Sequence, residues 1–162
     1  MAMTIRTASP ADWEELARVE AACFPPAEAA TREDFQGRLA VYPNHFWLLY
    51  EGDNLVSFVN GMVTDEADLR DEMYRDTSLH QEDGAWQMIF GVNTIPEARR
   101  RGCAQLLLRR AIEDARVQGR RGLVLTCKEA LLDYYGRLGF VSEGVSGSTH
   151  GGVLWYQMRL RF

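Results

Sequence analysis

Pro96-Glu-Ala-Arg-Arg-Arg-Gly-Cys-Ala-Gln-Leu-Leu-Leu108 is the stretch on which the fold turns. It follows the apolar run Met88-Ile-Phe-Gly-Val92 and opens an amphipathic segment reaching about to Gln118. A strand, a short basic glycine-containing loop and a helix start together make a place for an anion. The first N–H groups of a helix lack partners within it, and the helix dipole favours negative charge at that end. Gly102 leaves no side chain in the way of a ligand approaching the backbone. Arg99, Arg100 and Arg101 add charge in a fork geometry suited to phosphate oxygens. Basic residues belong at the other end of a helix on dipole grounds, so three arginines crowded here imply an anion. It would rest on the N–H groups of Arg100, Arg101, Gly102, Cys103, Ala104 and Gln105.

The chain has 162 residues, the size of one α/β domain, 1–162, with a full core. No apolar run is long enough to cross a bilayer, so no membrane partner is expected. Met1 to Ala11 lacks the basic-then-apolar pattern of a secretory signal. Cys23, Cys103 and Cys127 are odd in number and far apart, which argues for a reducing, cytoplasmic setting. The three histidines show no ligand spacing, so no metal is expected. A net charge of −5 repels nucleic acid and mildly favours cationic small molecules.

Along the chain, 4–8 alternates as a first strand, and Ser9-Pro-Ala-Asp starts a helix with Trp13, Leu16, Ala17 and Val19 on one face. Cys23-Phe-Pro-Pro breaks it, and a second helix runs from a Thr31 cap to about Ala40. His45 to Tyr50 and Leu55 to Val63 read as a strand pair around the tight turn Glu51-Gly-Asp-Asn. Asp65 to Gln81 is an acidic, partly helical excursion. Trp86 to Asn93 is a fourth strand, and Arg101 to Gln118 a helix with a stripe of Leu106, Leu107, Ala111, Ile112 and Ala115. Gly122 to Cys127 is an apolar central strand. A short helix over 129–138, a brief strand over 140–143 and a last strand over 152–160 complete the order.

These residues carry a family resemblance. Arg99-x-x-Gly102-x-Ala104 after a strand resembles the R/Q-x-x-G-x-G/A acetyl-CoA loop of the GNAT superfamily of N-acetyltransferases. Ala130-Leu-Leu-Asp-Tyr-Tyr-Gly-Arg-Leu-Gly-Phe140 resembles that family's A-x-x-x-F/Y-Y-x-x-x-G-F segment. The two occur in the family's order and spacing, and together they are specific. Phe46-Trp-Leu-Leu-Tyr and the excursion after Asp65 are most similar to the arylalkylamine (serotonin) N-acetyltransferase group. Trp86 and Met88 stand where that group carries an H-x-H pair, and neither relays a proton. The resemblance implies a mixed, mostly antiparallel sheet, splayed between the fourth and fifth strands, with helices on both faces.

It also implies acetyl transfer from acetyl-CoA to a small primary amine, directly and within a ternary complex. The loop would hold the pyrophosphate. Phe90, Gly91 and Val92 would pair with the pantetheine arm as an added half-strand, with Gly91 marking a bulge. Tyr135 would be the acid at the coenzyme sulfur, with Tyr134 the core residue beside it. Candidates for holding or accepting the ammonium proton are Asn93, through water, and Glu129, Asp65, Glu66 and His80. His45 reads as structural or exposed, and His150 as exposed in the glycine-rich turn Gly147–Gly152. The excursion and Phe24-Pro25-Pro26 could line the acceptor pocket. Two alternatives stay open: a protein or peptide N-acetyltransferase, and a non-catalytic acyl-CoA-binding module. Self-association into a homodimer is also left open.

Overall fold

The aromatic run after His45 forms β2 (Phe46–Glu51), which turns through Gly52, at φ 59°, into β3 (Asn54–Asn60). β1 (Met3–Thr7) pairs antiparallel with the outer edge of β2, and β6 (Gly91–Thr94) with β3, giving the order β1-β2-β3-β6. A second sheet has the order β4 (Val63–Thr64), β5 (Trp86–Ile89), β7 (Gly122–Cys127), β9 (Tyr156–Arg161), β8 (Val141–Val145). This computed structural model describes residues 2–162. Among them the β5–β7 pairing is parallel and the other strand pairings are antiparallel.

Alternation along β2 sends its side chains to two cores. Phe46 and Leu48 pack with α1 (Trp13–Cys23) and α2 (Arg32–Val41). Trp47 and Leu49 pack with α3 (Cys103–Val117) and Tyr135 of α4 (Leu132–Gly136). Helices therefore cover both faces, as a sheet apolar on both sides requires. α2 begins with a reciprocal cap: Asp34 N–H donates to Thr31 Oγ1 at 3.1 Å, and Thr31 N–H donates to Asp34 Oδ2 at 2.9 Å. In α3 the stripe expected from sequence shifts. Cys103, Leu107, Leu108, Ala111, Ile112 and Ala115 turn inward, on one face at the 3.6-residue period, and Leu106 is exposed.

Two strands expected to be continuous are broken, and the breaks divide the sheet. The segment 55–63 stops at Asn60 and resumes as β4 in the other sheet. The segment 86–93 stops at Ile89 and resumes at Gly91, crossing the other way. Gly61 is required at this crossing, because a Cβ there would collide with the Met88 carbonyl. The fully buried Gln87 amide donates to the carbonyls of Gly61 and Met88, at 2.9 and 2.8 Å, satisfying backbone acceptors that the break would strand. The last β5–β7 rung joins Ile89 and Leu125. Beyond it, Gly91–Thr94 follow β3 while Thr126 and Cys127 follow β9, and the sheet opens into a cleft.

Candidate functional site

The basic loop follows β6, the strand that forms one side of this opening. Arg100 (φ 64°) and Gly102 (φ 77°) both have left-handed backbones, and α3 begins without a side-chain cap. The N–H groups from Arg100 to Gln105 have no acceptor in the chain among the described residues, and an added Cβ at Gly102 would meet only open space. A run of six free donors at a helix start is a cradle for an anion. The three arginines behave differently from one another. Arg101 is paired with Glu51, and Arg99 Nε donates to the Thr94 carbonyl at 3.1 Å. Among the described residues Arg100 has no ion-pair partner. Local crowding is thus relieved by the fold at Arg101, whose partner lies on β2, and positive charge is left free at Arg100.

Next to the loop, β6 is an edge strand: it pairs with β3 on one side and has no neighbour on the other. A cleft of about 250 Å³ runs along that side, between β6 and the end of β7. Phe90, Gly91 and Val92 line it, and so does Tyr135. The Tyr135 ring is buried, its hydroxyl has no hydrogen-bond partner among the described residues, and burial raises its pKa. Tyr135, rather than Tyr134, is the buried member of the pair, with Phe140 edge-on at 6.1 Å. Tyr134 is half-buried against the same core. Cys127 lines the cleft as a thiol, its pKa pushed up to about 11 by burial, so it is no ready nucleophile.

The cleft lining also holds a carboxylate absent from the sequence-derived candidates. Glu20 of α1 is 6% exposed. Its Oε1 accepts from Asn93 Nδ2 at 2.6 Å and its Oε2 from Ala30 N–H at 2.8 Å. Burial raises its pKa, and the hydrogen bonds from Ala30 and Asn93 oppose that rise. Beside it, Arg38 Nη1 donates to Asn60 Oδ1 at 3.1 Å and Nη2 to the Tyr74 carbonyl at 2.9 Å, leaving the buried Nε without a partner. A Glu within the apolar face Leu16, Val19, Cys23 was the available signal for this site.

Of the proton-relay candidates, Asn93 alone reaches this neighbourhood, as a donor to Glu20. Asp65 accepts from Ala85 N–H at 3.0 Å, Glu66 pairs with Arg70, and His80 bonds Glu82 at 2.9 Å, all away from the cleft lining. Glu129 is exposed. The excursion contributes Tyr74 and Arg75 to the lining, and none of its acids; of Phe24-Pro25-Pro26, Phe24 and Pro25 line it and Pro26 does not. His45 is fully buried. His150 is a correction: it is half-buried and lines the cleft. Its imidazole stacks on Tyr74 with ring centroids 5.3 Å apart, which the glycines around it in the sequence do not suggest.

A family model described as the acetyltransferase (GNAT) family matches residues 13–140. The chain belongs to the GNAT acetyltransferase family. Its fold is shared by the loading GNAT-like domain of CurA from Lyngbya majuscula, with a TM-score of 0.85 at 16% identity over 99% of this chain and 98% of that one. The GphF GNAT-like decarboxylase, solved with isobutyryl-CoA, gives 0.82 at 20% identity over 98% of each chain. The ribosomal-protein-S18-alanine N-acetyltransferase of Escherichia coli gives 0.73 at 16% identity over 99% and 94%. No curated protein sequence is significantly similar. In this GNAT-family chain Trp86 and Met88 are buried packing residues, Trp86 lying beneath the Arg159 guanidinium at 4.6 Å. Among the described residues no helix is long and apolar enough to cross a membrane.

Proposed function

We propose that this protein transfers the acetyl group of acetyl-CoA to a small primary amine, directly within a ternary complex. The observation that carries this is the cleft: the buried carboxylate of Glu20 and the ring of Tyr135 both line it beside the free edge of β6, and the free anion cradle follows that strand in the chain. The N–H groups of residues 100–105, with Arg100, fit a pyrophosphate. The free edge of β6 at Phe90–Val92 fits the amide-bearing pantetheine arm. Tyr135 would protonate the departing sulfur, and its unpartnered hydroxyl suits that role.

Phe24, Pro25 and Glu28 from the α1–α2 connection, Tyr74, and His150 with Trp155 line the cleft with Glu20. A concave site of about 250 Å³ favours a small acceptor over a protein chain, and Glu20 favours a cationic one. Thiol release from acetyl-CoA, measured across aromatic amines, polyamines, amino acids and peptides, tests the assignment. Turnover with a small amine is expected. Turnover confined to peptides would replace it with protein acetylation, and none with any amine would leave an acyl-CoA-binding module.

Arg38 favours one second activity. A buried guanidinium with an unpartnered Nε suits a carboxylate on the acyl group. The similar GphF domain is a decarboxylase bound to isobutyryl-CoA. Release of carbon dioxide from malonyl-type thioesters, without thiol release, would establish that activity in place of acetyl transfer.

A further inference from the structure

We propose that His150 is the general base of this transfer, its Nδ1 taking the proton of the acceptor ammonium; the assignment rests on the acetyl-transfer function above. Its Nε2 lies 2.8 Å from the Glu28 carbonyl oxygen. A carbonyl only accepts, so Nε2 carries the proton and the lone pair is on Nδ1. Among the described residues Nδ1 has no partner, and the residue lines the cleft. The ring is fixed in place. It stacks on Tyr74 at 7° and lies against Trp155, whose Nε1 donates to the His150 carbonyl at 2.7 Å. The loop is latched to Asp71, which accepts from Ser148 Oγ at 2.6 Å and Thr149 N–H at 3.1 Å. An imidazole with one nitrogen bonded to a backbone oxygen and the other unpartnered, in a residue that lines the cleft, can accept a proton there.

The neighbouring groups fill other roles. Both Glu20 oxygens already accept hydrogen bonds. The charged and titratable groups around His150 are Glu20 on α1, Glu28 with its partner Lys128, and Asp71 and Tyr74. The step balances. The ammonium gives one proton to Nδ1 and on to solvent, and the freed nitrogen pair forms the bond to the thioester carbon. The C–S bond breaks, Tyr135 gives its proton to sulfur, and the resulting phenolate takes the second surplus proton of the nitrogen.

The test compares wild type with His150→Gln, whose amide keeps an N–H for the Glu28 carbonyl and offers no base. Expected are a fall in kcat/KM of about 100-fold, loss of the acid limb of its pH profile, and unchanged acetyl-CoA affinity. His150→Ala should regain turnover on adding imidazole, which a merely structural histidine would not do. Wild-type activity with the same pH profile in His150→Gln, or no imidazole rescue, overturns the proposal and leaves acetyl transfer standing. Wild-type protein inactive toward every amine overturns both.

Discussion

Tyr135 and Glu20 occupy the same cleft and are both buried, yet burial acts on them for different ends. It raises the Tyr135 pKa, so the phenol stays protonated and able to donate. Tyr135→Phe removes one hydroxyl and leaves the ring packing in place. We expect kcat to fall about 100-fold with acetyl-CoA affinity unchanged, as titration calorimetry and steady-state rates would show. An unchanged kcat would remove Tyr135 from the chemistry. Glu20 keeps its place through two hydrogen bonds to its oxygens. Glu20→Gln removes the charge at little change in volume. The KM for the amine should then rise by about tenfold, equivalent to about 1.4 kcal/mol of lost attraction, while KM for acetyl-CoA holds.

Among the elements, the loop into α3 separates three neighbouring arginines by what each can reach. Arg101 is held by Glu51 and Arg99 by a backbone carbonyl, whereas Arg100 has no such anchor. Arg100→Ala should therefore weaken acetyl-CoA binding by about tenfold, a loss that shrinks at high salt. Arg101→Ala should change it by less than about twofold, the range of an exposed pair already committed elsewhere. Equal losses in the two variants would mean that the Glu51 pair opens for the ligand. The loop and the α4 segment were legible in the sequence because each is a continuous stretch whose glycine and basic or aromatic spacing follows from local geometry. The parting of the fourth strand near Gly91 was legible for the same reason, through its glycine, but the break at Gly61 was not. It depends on where a neighbouring strand ends, and apolar runs on either side look the same whether the strand continues or crosses.

At the scale of the whole molecule, His45, His80, Glu82 and Arg120 link the start of β2 to the turn before β7, on the side away from the cleft. Val63 N–H donates to His80 Nδ1 at 3.1 Å, so His80 Nε2 carries a proton toward Glu82. Burial raises the Glu82 pKa, but hydrogen bonds from His45 and His80 outweigh it and hold the carboxyl at about 2, below its ordinary 4.5. Its contribution to stability is therefore present above 4.5 and lost as pH falls toward 2. His45 is held below its ordinary 6.5 by burial, against the pull of Glu82. The unfolded chain then takes up that proton first, and stability also declines as pH falls below 6.5. Both effects act in the same direction. Thermal melting between neutral pH and pH 2 should show a steady fall in Tm, and Glu82→Gln should flatten the part below 4.5. An unaltered pH slope in that variant would show that Glu82 contributes nothing to acid unfolding.

The sequence by itself determined the family, the order of elements and the loop and tyrosine that point to an acyl-CoA donor. Each of these is carried by residues close together in the chain, where periodicity, capping and glycine placement act. Only the tertiary structure decided what faces the acceptor. Glu20 sits on the first helix, Asn93 is 73 residues later, and His150 reaches a carbonyl 122 residues away. Their meeting depends on the sheet parting after the Ile89–Leu125 rung, and that parting is set by the neighbours of each strand rather than by its own side chains. The tertiary structure likewise left Arg100 free, because the partner that occupies Arg101 lies 50 residues away on another strand.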